Sequence, residues 1–300
     1  MRPALILVGA DKGGVGKTTV SRVLLDYLAE RRIVTRAFDT EAPRGTLARF
    51  YPEITEIVDL DRTGDQMRIF DTLESDEIKV SLVDVRAGQL KTILSALEEF
   101  GFLEAAREAK YDFLLFHILG SSIASLEEIA EIAPFVEDAQ YFLVKNHVGE
   151  GTYFEWDPQI HRAYFDQAKN ATEFTIPKLN ELAYEQIDFA GATFSGFVRQ
   201  PSNSFVLRGY VRSWLGNVTR QLDDAAVGGA FGRTKPRNAP KPEPKPEAGP
   251  EPKRAAQSKP PPEPEAPAAT SSGPDMSRLE EISELLLERL RALDKVGKDS

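Results

Sequence analysis

Residues 11–20, DKGGVGKTTV, set two lysines five positions apart around three glycines. That combination is suited to phosphate chemistry. Gly13, Gly14 and Gly16 let the backbone turn its N–H groups inward toward an anion, with Val15 and Thr19 in the same wrapping segment. Lys17 reaches the outer oxygens of a phosphate chain, and Thr18 offers a hydroxyl to Mg²⁺. The strict pattern G-x-x-x-x-G-K-[ST] is not met, because Asp11 stands at its first glycine, and Lys12 is left without a role in it. Nucleoside triphosphate hydrolysis also needs an acid near Mg²⁺ and a group that orients the attacking water. Asp84, at the end of VSLVD, is the preferred metal-side acid.

These residues need elements to hold them. ALILVG, residues 4–9, is a short apolar run suited to a buried strand. KTTVSRVLLDYLAER, residues 17–31, has apolar residues at helical spacing, so the glycine loop joins a strand to a helix N-terminus, where partial positive charge favours phosphate. Further strands are expected at 32–41, 78–85, 111–119 and 139–148, and helices at about 89–109, 122–137 and 202–223. The alternation predicts an α/β fold, a mostly parallel sheet with helices on both faces and ligands at the carboxyl ends of the strands. In the last helix, Phe205, Val206, Tyr210, Val211, Leu215, Val218 and Leu222 are expected on the packing face, with Arg208 and Arg212 sharing another.

Of the 20 prolines, 13 fall between Pro236 and Pro274. That stretch has almost no large apolar residue to offset its ordering entropy, so residues 233–274 are expected to be a disordered linker. It separates a domain, 1–232, from a tail, 275–300, with Leu279, Ile282, Leu286, Leu290 and Leu293 at helical spacing. The tail is net negative and lacks aromatics, which fits packing on a partner protein better than lying on a membrane. Against a total of −10, the linker is +3 and the tail −2, leaving the domain at −11. A domain that acidic binds nucleic acid only through a local basic patch. The chain has no cysteine, so disulfides and thiolate metal sites are excluded, and its three histidines lack metal-ligand spacing. No apolar run reaches the length of a membrane span and the N-terminal run is too short for a signal peptide, so a cytoplasmic protein is expected.

KGGVGKTT resembles the deviant Walker A loop of the ParA/MinD family of P-loop ATPases, and the order of elements is similar to its plasmid-encoded TraL- and StbB-like branch. The resemblance covers about residues 1–225 and implies a P-loop NTPase fold with ATP and Mg²⁺ as cofactors. It implies that Lys12 reaches the nucleotide of a partner subunit in an ATP-bound homodimer. FDTEAPRGTL, 38–47, resembles the family's D-x-D-P-x-G motif, with Glu for Asp and Ala42 inserted before Pro43. By that resemblance Asp39 lies near Mg²⁺ and Glu41 helps place the attacking water. YDFLLFH resembles the family's YDFxxxD strand, but His117 replaces the final acid, and neutral imidazole is a poor ligand for hard Mg²⁺. FLVKNHV resembles the strand whose Asn contacts adenine, which would be Asn146, and basic residues such as Arg208 and Arg212 would hold DNA without reading sequence. The function implied is an ATP-dependent dimerising switch in DNA partition, plasmid transfer or cargo positioning. The alternatives are a nucleotide-gated scaffold with little turnover and a metabolic or metal-delivery enzyme on the same fold.

Overall fold

The computed structural model describes residues 2–137, 139–147 and 170–225 and positions 159, 165, 168 and 227. All fall within one unit, Met1–Thr234. The expected linker and tail, 233–274 and 275–300, lie outside the described residues.

Seven parallel strands form one sheet in the order β3-β2-β4-β1-β5-β6-β7. They are β1 Ala4–Gly9, β2 Thr35–Asp39, β3 Thr55–Ile57, β4 Val80–Asp84, β5 Asp112–Leu119, β6 Gln140–Asn146 and β7 Thr172–Ile176. The helices are α1 Lys17–Glu30, α2 Thr63–Asp71, α3 Leu90–Glu99, α4 Phe102–Arg107, α5 Ile123–Ile132, α6 Glu181–Ala190, α7 Phe194–Arg199 and α8 Phe205–Asp224. β1, β4 and β5 are buried along their whole lengths, as apolar strands covered on both faces must be. This is the parallel α/β sheet with helices on both faces that the sequence predicts.

The pleat sends alternate residues to opposite faces. Ile6, Val8, Leu82, Phe116 and Val144 meet α1, α6, α7 and α8 in one continuous core. On the other face, α3 lies so close that a Cβ on Gly9 would stand 2.6 Å from Leu90, and Glu128 of α5 approaches His117. Helices on both faces leave the carboxyl ends of the strands open.

Several expectations are corrected. The helix expected at 89–109 is two helices, broken at Gly101, whose φ of 79° only glycine adopts without strain. β3, β7, α2, α6 and α7 were not foreseen. In α8 the packing stripe is Leu207, Val211, Trp214, Val218 and Leu222, whereas Phe205, Val206 and Tyr210 are exposed. The buried set keeps to steps of three and four residues, and the three exposed positions fall off that line.

Candidate nucleotide-binding site

β1 is centred between β4 and β5, so the loop that leaves it at Ala10 emerges at the middle of the sheet. Gly14 and Gly16 have φ values of 75° and 88°, and these left-handed turns bend the loop back over the start of α1. A Cβ on Gly13 or Gly14 would meet nothing within 4 Å, so both positions border open space. No side chain caps α1 and its first turn holds no acid, which leaves its first N–H groups directed at whatever fills the loop. Lys17 Nζ donates to the Lys12 carbonyl at 3.0 Å. Burial pulls the Lys17 pKa down, while Asp84, Glu128 and Glu41 oppose the fall.

Two carboxylates stand level across β2 and β4, because Asp39 pairs in register with Asp84. Asp39 is committed to its own loop: Oδ1 accepts from Glu41 N at 3.0 Å and Oδ2 from Leu47 N at 2.6 Å. Gly45 passes so near that a Cβ there would stand 2.8 Å from Asp39 Oδ2. Burial raises the Asp39 pKa and these amides oppose the rise. Asp84 is different. Its Oδ1 is buried with no hydrogen-bond partner among the described residues. Burial, then the charge of Asp39, push its carboxyl up to about 7, with the Thr18 and Ser21 hydroxyls and Lys17 opposing.

A buried, unpartnered carboxylate oxygen beside a threonine hydroxyl and a second acid fits a hard cation. Among the described residues there is no group of three or more His, Cys, Asp or Glu side chains that could hold a metal alone. A cation here would take most of its ligands from phosphate and water, which is how Mg²⁺ prefers to bind. Asp84, Asp39, Lys17 and Thr18 line one cavity of about 360 Å³, together with Glu41 and Arg86. A second cavity of about 340 Å³ shares Thr19 and Tyr184 with it and is lined by Asn146, Ile176, Pro177 and Trp214. A cleft lined by the glycine loop and two aspartates, next to a more apolar pocket that shares Thr19 and Tyr184 with it, suits a nucleotide.

No protein-family model matches the chain. Among curated proteins it is similar to protein MobD of Acidithiobacillus ferrooxidans, 26% identical over 158 residues, which is 52% of this chain and 69% of that protein. Similar solved structures include a nucleotide-binding protein of Archaeoglobus fulgidus in complex with ADP, with a TM-score of 0.42, 16% identity and coverage of 63% of this chain and 86% of that one. Another is McdA of Cyanothece in complex with ATP, with a TM-score of 0.41, 14% identity and coverage of 78% and 98%. A ParA-family ATPase from Chlorobium tepidum gives a TM-score of 0.40, 12% identity and coverage of 71% and 98%.

Within the described domain the remaining expected residues are dispersed. Asn146 is buried, and its Nδ2 donates to the Val15 and Gly16 carbonyls at 3.0 and 3.4 Å, so its amide nitrogen holds the loop. His117 points to the face away from the cleft: Nδ1 meets Tyr141 Oη at 2.8 Å and Nε2 lies 3.2 Å from Glu128 Oε1. The same Glu128 oxygen accepts from Asp11 N at 2.8 Å, which ties the start of the loop to α5. Lys12 is exposed and makes no ion pair among the described residues; its Cδ would stand 2.9 Å from a Cβ on Gly120. Glu41 is exposed and its Oε2 accepts from Thr46 Oγ1 at 2.9 Å. Arg212 is exposed, but Arg208 is half-buried with its Nε unpartnered, so the two do not present one even basic face.

Sequence reasoning missed Tyr184, Thr40, Glu128 and Arg86. Tyr184 lies 3.4 Å from Thr19 Oγ1, where the two cavities meet. The Thr40 hydroxyl donates to the Asp84 carbonyl at 3.2 Å and accepts from Arg86 N at 2.7 Å, clamping the ends of β2 and β4 together. Only Arg86 carried a sequence signal, as a cation two positions beyond the strand-end acid. No helix among the described residues is long and apolar enough to cross a membrane.

Proposed function

We infer that the chain is an Mg²⁺-dependent ATPase acting as a dimerising switch. ATP closes two copies face to face, hydrolysis separates them, and the two states differ in affinity for a cargo such as DNA, a transfer complex or a protein assembly. The observation that carries the nucleotide reading is the buried, unpartnered Asp84 Oδ1 level with Asp39 in the cavity of Lys17 and Thr18. Thr18 and Asp84 would hold Mg²⁺ from the protein side, with Asp39 ordering the segment beside it. Bound Mg²⁺ supplies charge neutralisation for the phosphates. The apolar cavity beside Asn146 is the place for the base.

The dimer reading is supported by Lys12, an exposed lysine next to the loop in a domain of strong net negative charge. Two such domains, each with a triphosphate, repel unless a cation sits at the seam, and a lysine from each partner supplies it. Glu41, held by Thr46 at the cavity edge, supports slow basal turnover that a partner raises by reordering residues 41–46. The same observation favours, as a second reading, a nucleotide-gated scaffold with little turnover. Residues 233–274 would then be a tether and 275–300 a partner-binding helix in a cytoplasmic protein, with Arg208 and Arg212 as a non-specific DNA contact.

Lys12 and Lys17 divide these ideas. Lys17→Ala should abolish MgATP binding in a titration, whereas Lys12→Ala should retain it and lose both ATP-dependent dimerisation and phosphate release. Light scattering and a phosphate assay read the two quantities. A Lys12→Ala protein that dimerises and turns over like the wild type overturns the switch.

A further inference from the structure

Among the described residues that line the cleft, Arg86 is a second cation beside Lys17. Arg86 leaves the end of β4 two residues after Asp84 and lines the same cavity as Lys17, Thr18 and both aspartates. Its backbone position is fixed: Val85 N donates to the Val8 carbonyl at 2.8 Å, and Arg86 N donates to Thr40 Oγ1 at 2.7 Å. The Thr40 hydroxyl is in turn bonded to the Asp84 carbonyl, so the residue that would hold the metal and the root of Arg86 are held by one side chain. The guanidinium, by contrast, is exposed and has no hydrogen bond or ion pair among the described residues, although three carboxylates line the same cavity. An arginine on a clamped root with an uncommitted head is placed to receive an anion.

The charge in the cleft calls for one. Asp39, Asp84 and a triphosphate outweigh Lys17 and a divalent cation, so the occupied site keeps a surplus of negative charge. Lys17 is held at the loop by the Lys12 carbonyl, on the α1 side. On the β4 side the cation among the described lining residues is Arg86, and its planar fork matches two oxygens of a phosphoryl group.

We propose that Arg86 binds the terminal phosphoryl group of a nucleoside triphosphate held in its own subunit and stabilises the charge on that group's oxygens during hydrolysis. The proposal rests on the ATPase reading above. Water attacks the γ-phosphorus, the bond to the β,γ-bridging oxygen breaks, and ADP leaves with that electron pair while the water's protons pass to inorganic phosphate and solvent. Arg86 forms no bond to phosphorus. Its donors lie where charge spreads over the three peripheral oxygens.

The test uses the full chain with Arg86→Ala and Arg86→Lys. Because the head of Arg86 is unpartnered, Arg86→Ala should melt within about one degree of the wild type and bind MgADP with unchanged affinity. Its maximal rate of phosphate release should fall about 100- to 1,000-fold, the range found when one charge-stabilising donor is removed. It should also fail to trap ADP with aluminium fluoride, an analogue of the transferred group, while Arg86→Lys recovers part of the rate. Turnover within threefold of wild type, or equal losses of MgADP affinity and rate, would overturn the assignment. An equimolar mixture of Arg86→Ala and Lys17→Ala subunits reads the subunit claim: restored turnover would mean that Arg86 serves its neighbour, and would overturn action within one subunit. Wild-type protein that binds no MgATP would overturn this proposal and the ATPase reading together, whereas a silent Arg86 in an active enzyme removes the proposal alone.

Discussion

Replacing Asp84 with Asn should stabilise the metal-free protein, and by an amount that depends on pH. Burial and the facing Asp39 raise the Asp84 carboxyl to about 7, against an ordinary value of 3.8. Between those two values the folded chain holds a proton that the unfolded chain has released. Stability therefore falls as pH rises through this interval, since the unfolded state binds fewer protons. At about 1.4 kcal/mol per pH unit, the whole interval corresponds to about 4 kcal/mol. Water in the open cavity screens part of this, so about 2–4 kcal/mol is expected. Asp84→Asn keeps the shape and removes the charge, so it should gain about that much at about pH 8 and almost nothing below about pH 4. Urea unfolding in EDTA, at four pH values across this range, gives the gap directly. Adding Mg²⁺ and ATP should reverse the order, because only the wild-type carboxylate gains a cation. A gap that stays constant with pH, or grows toward acid, would refute the reasoning.

Gly45→Ala should cost about 1–3 kcal/mol by urea unfolding and weaken Mg²⁺-dependent turnover, because the added methyl displaces the Asp39 carboxylate; an unchanged midpoint would refute the close approach. Arg208→Glu with Arg212→Glu should weaken retention of random-sequence duplex at low salt without altering ATPase activity, and absence of DNA binding by the wild type would remove that contact. Removing residues 275–300 should leave the thermal midpoint and MgATP titration unchanged; tail-dependent flotation with anionic liposomes would contradict the protein-partner reading.

What could be read from the sequence was local and periodic. ALILVG followed by the glycine loop and an apolar-spaced helix gave β1 and α1 within a residue, because each depends on its own chain segment. The sheet's parallel character followed from alternation. β3 and β7 were missed because TEI and TEFTI are short edge segments, only partly buried, with no long apolar run. Phe205, Val206 and Tyr210 were misplaced because large apolar residues at the start of a helix read as packing when nothing local says where the core lies. In the site, Lys17, Thr18 and Asp84 could be picked out by type and spacing. The second task of Asn146 could not, since its partners are 131 and 130 residues away, nor could Glu128's bond to Asp11, which spans 117. Sheet order creates these contacts, and spacing along the chain contains no trace of them.

The braced loop has a consequence for how occupancy is signalled. Asn146 from β6, Glu128 from α5 and the internal bond of Lys17 together hold residues 11–17 from three directions. A receptor already set in shape gives up little conformational entropy when its ligand arrives, so affinity is not diverted into ordering it. For the same reason it is a poor messenger, since a part that does not move cannot report what it holds. On the proposed reading, news of the terminal phosphate would travel through the strand-end turns at 41–46 and 86–89, where Glu41 and Arg86 are exposed and line the cleft. The grip on the nucleotide and the reporting of its state thus belong to different pieces of chain, and substitutions could tune one without the other.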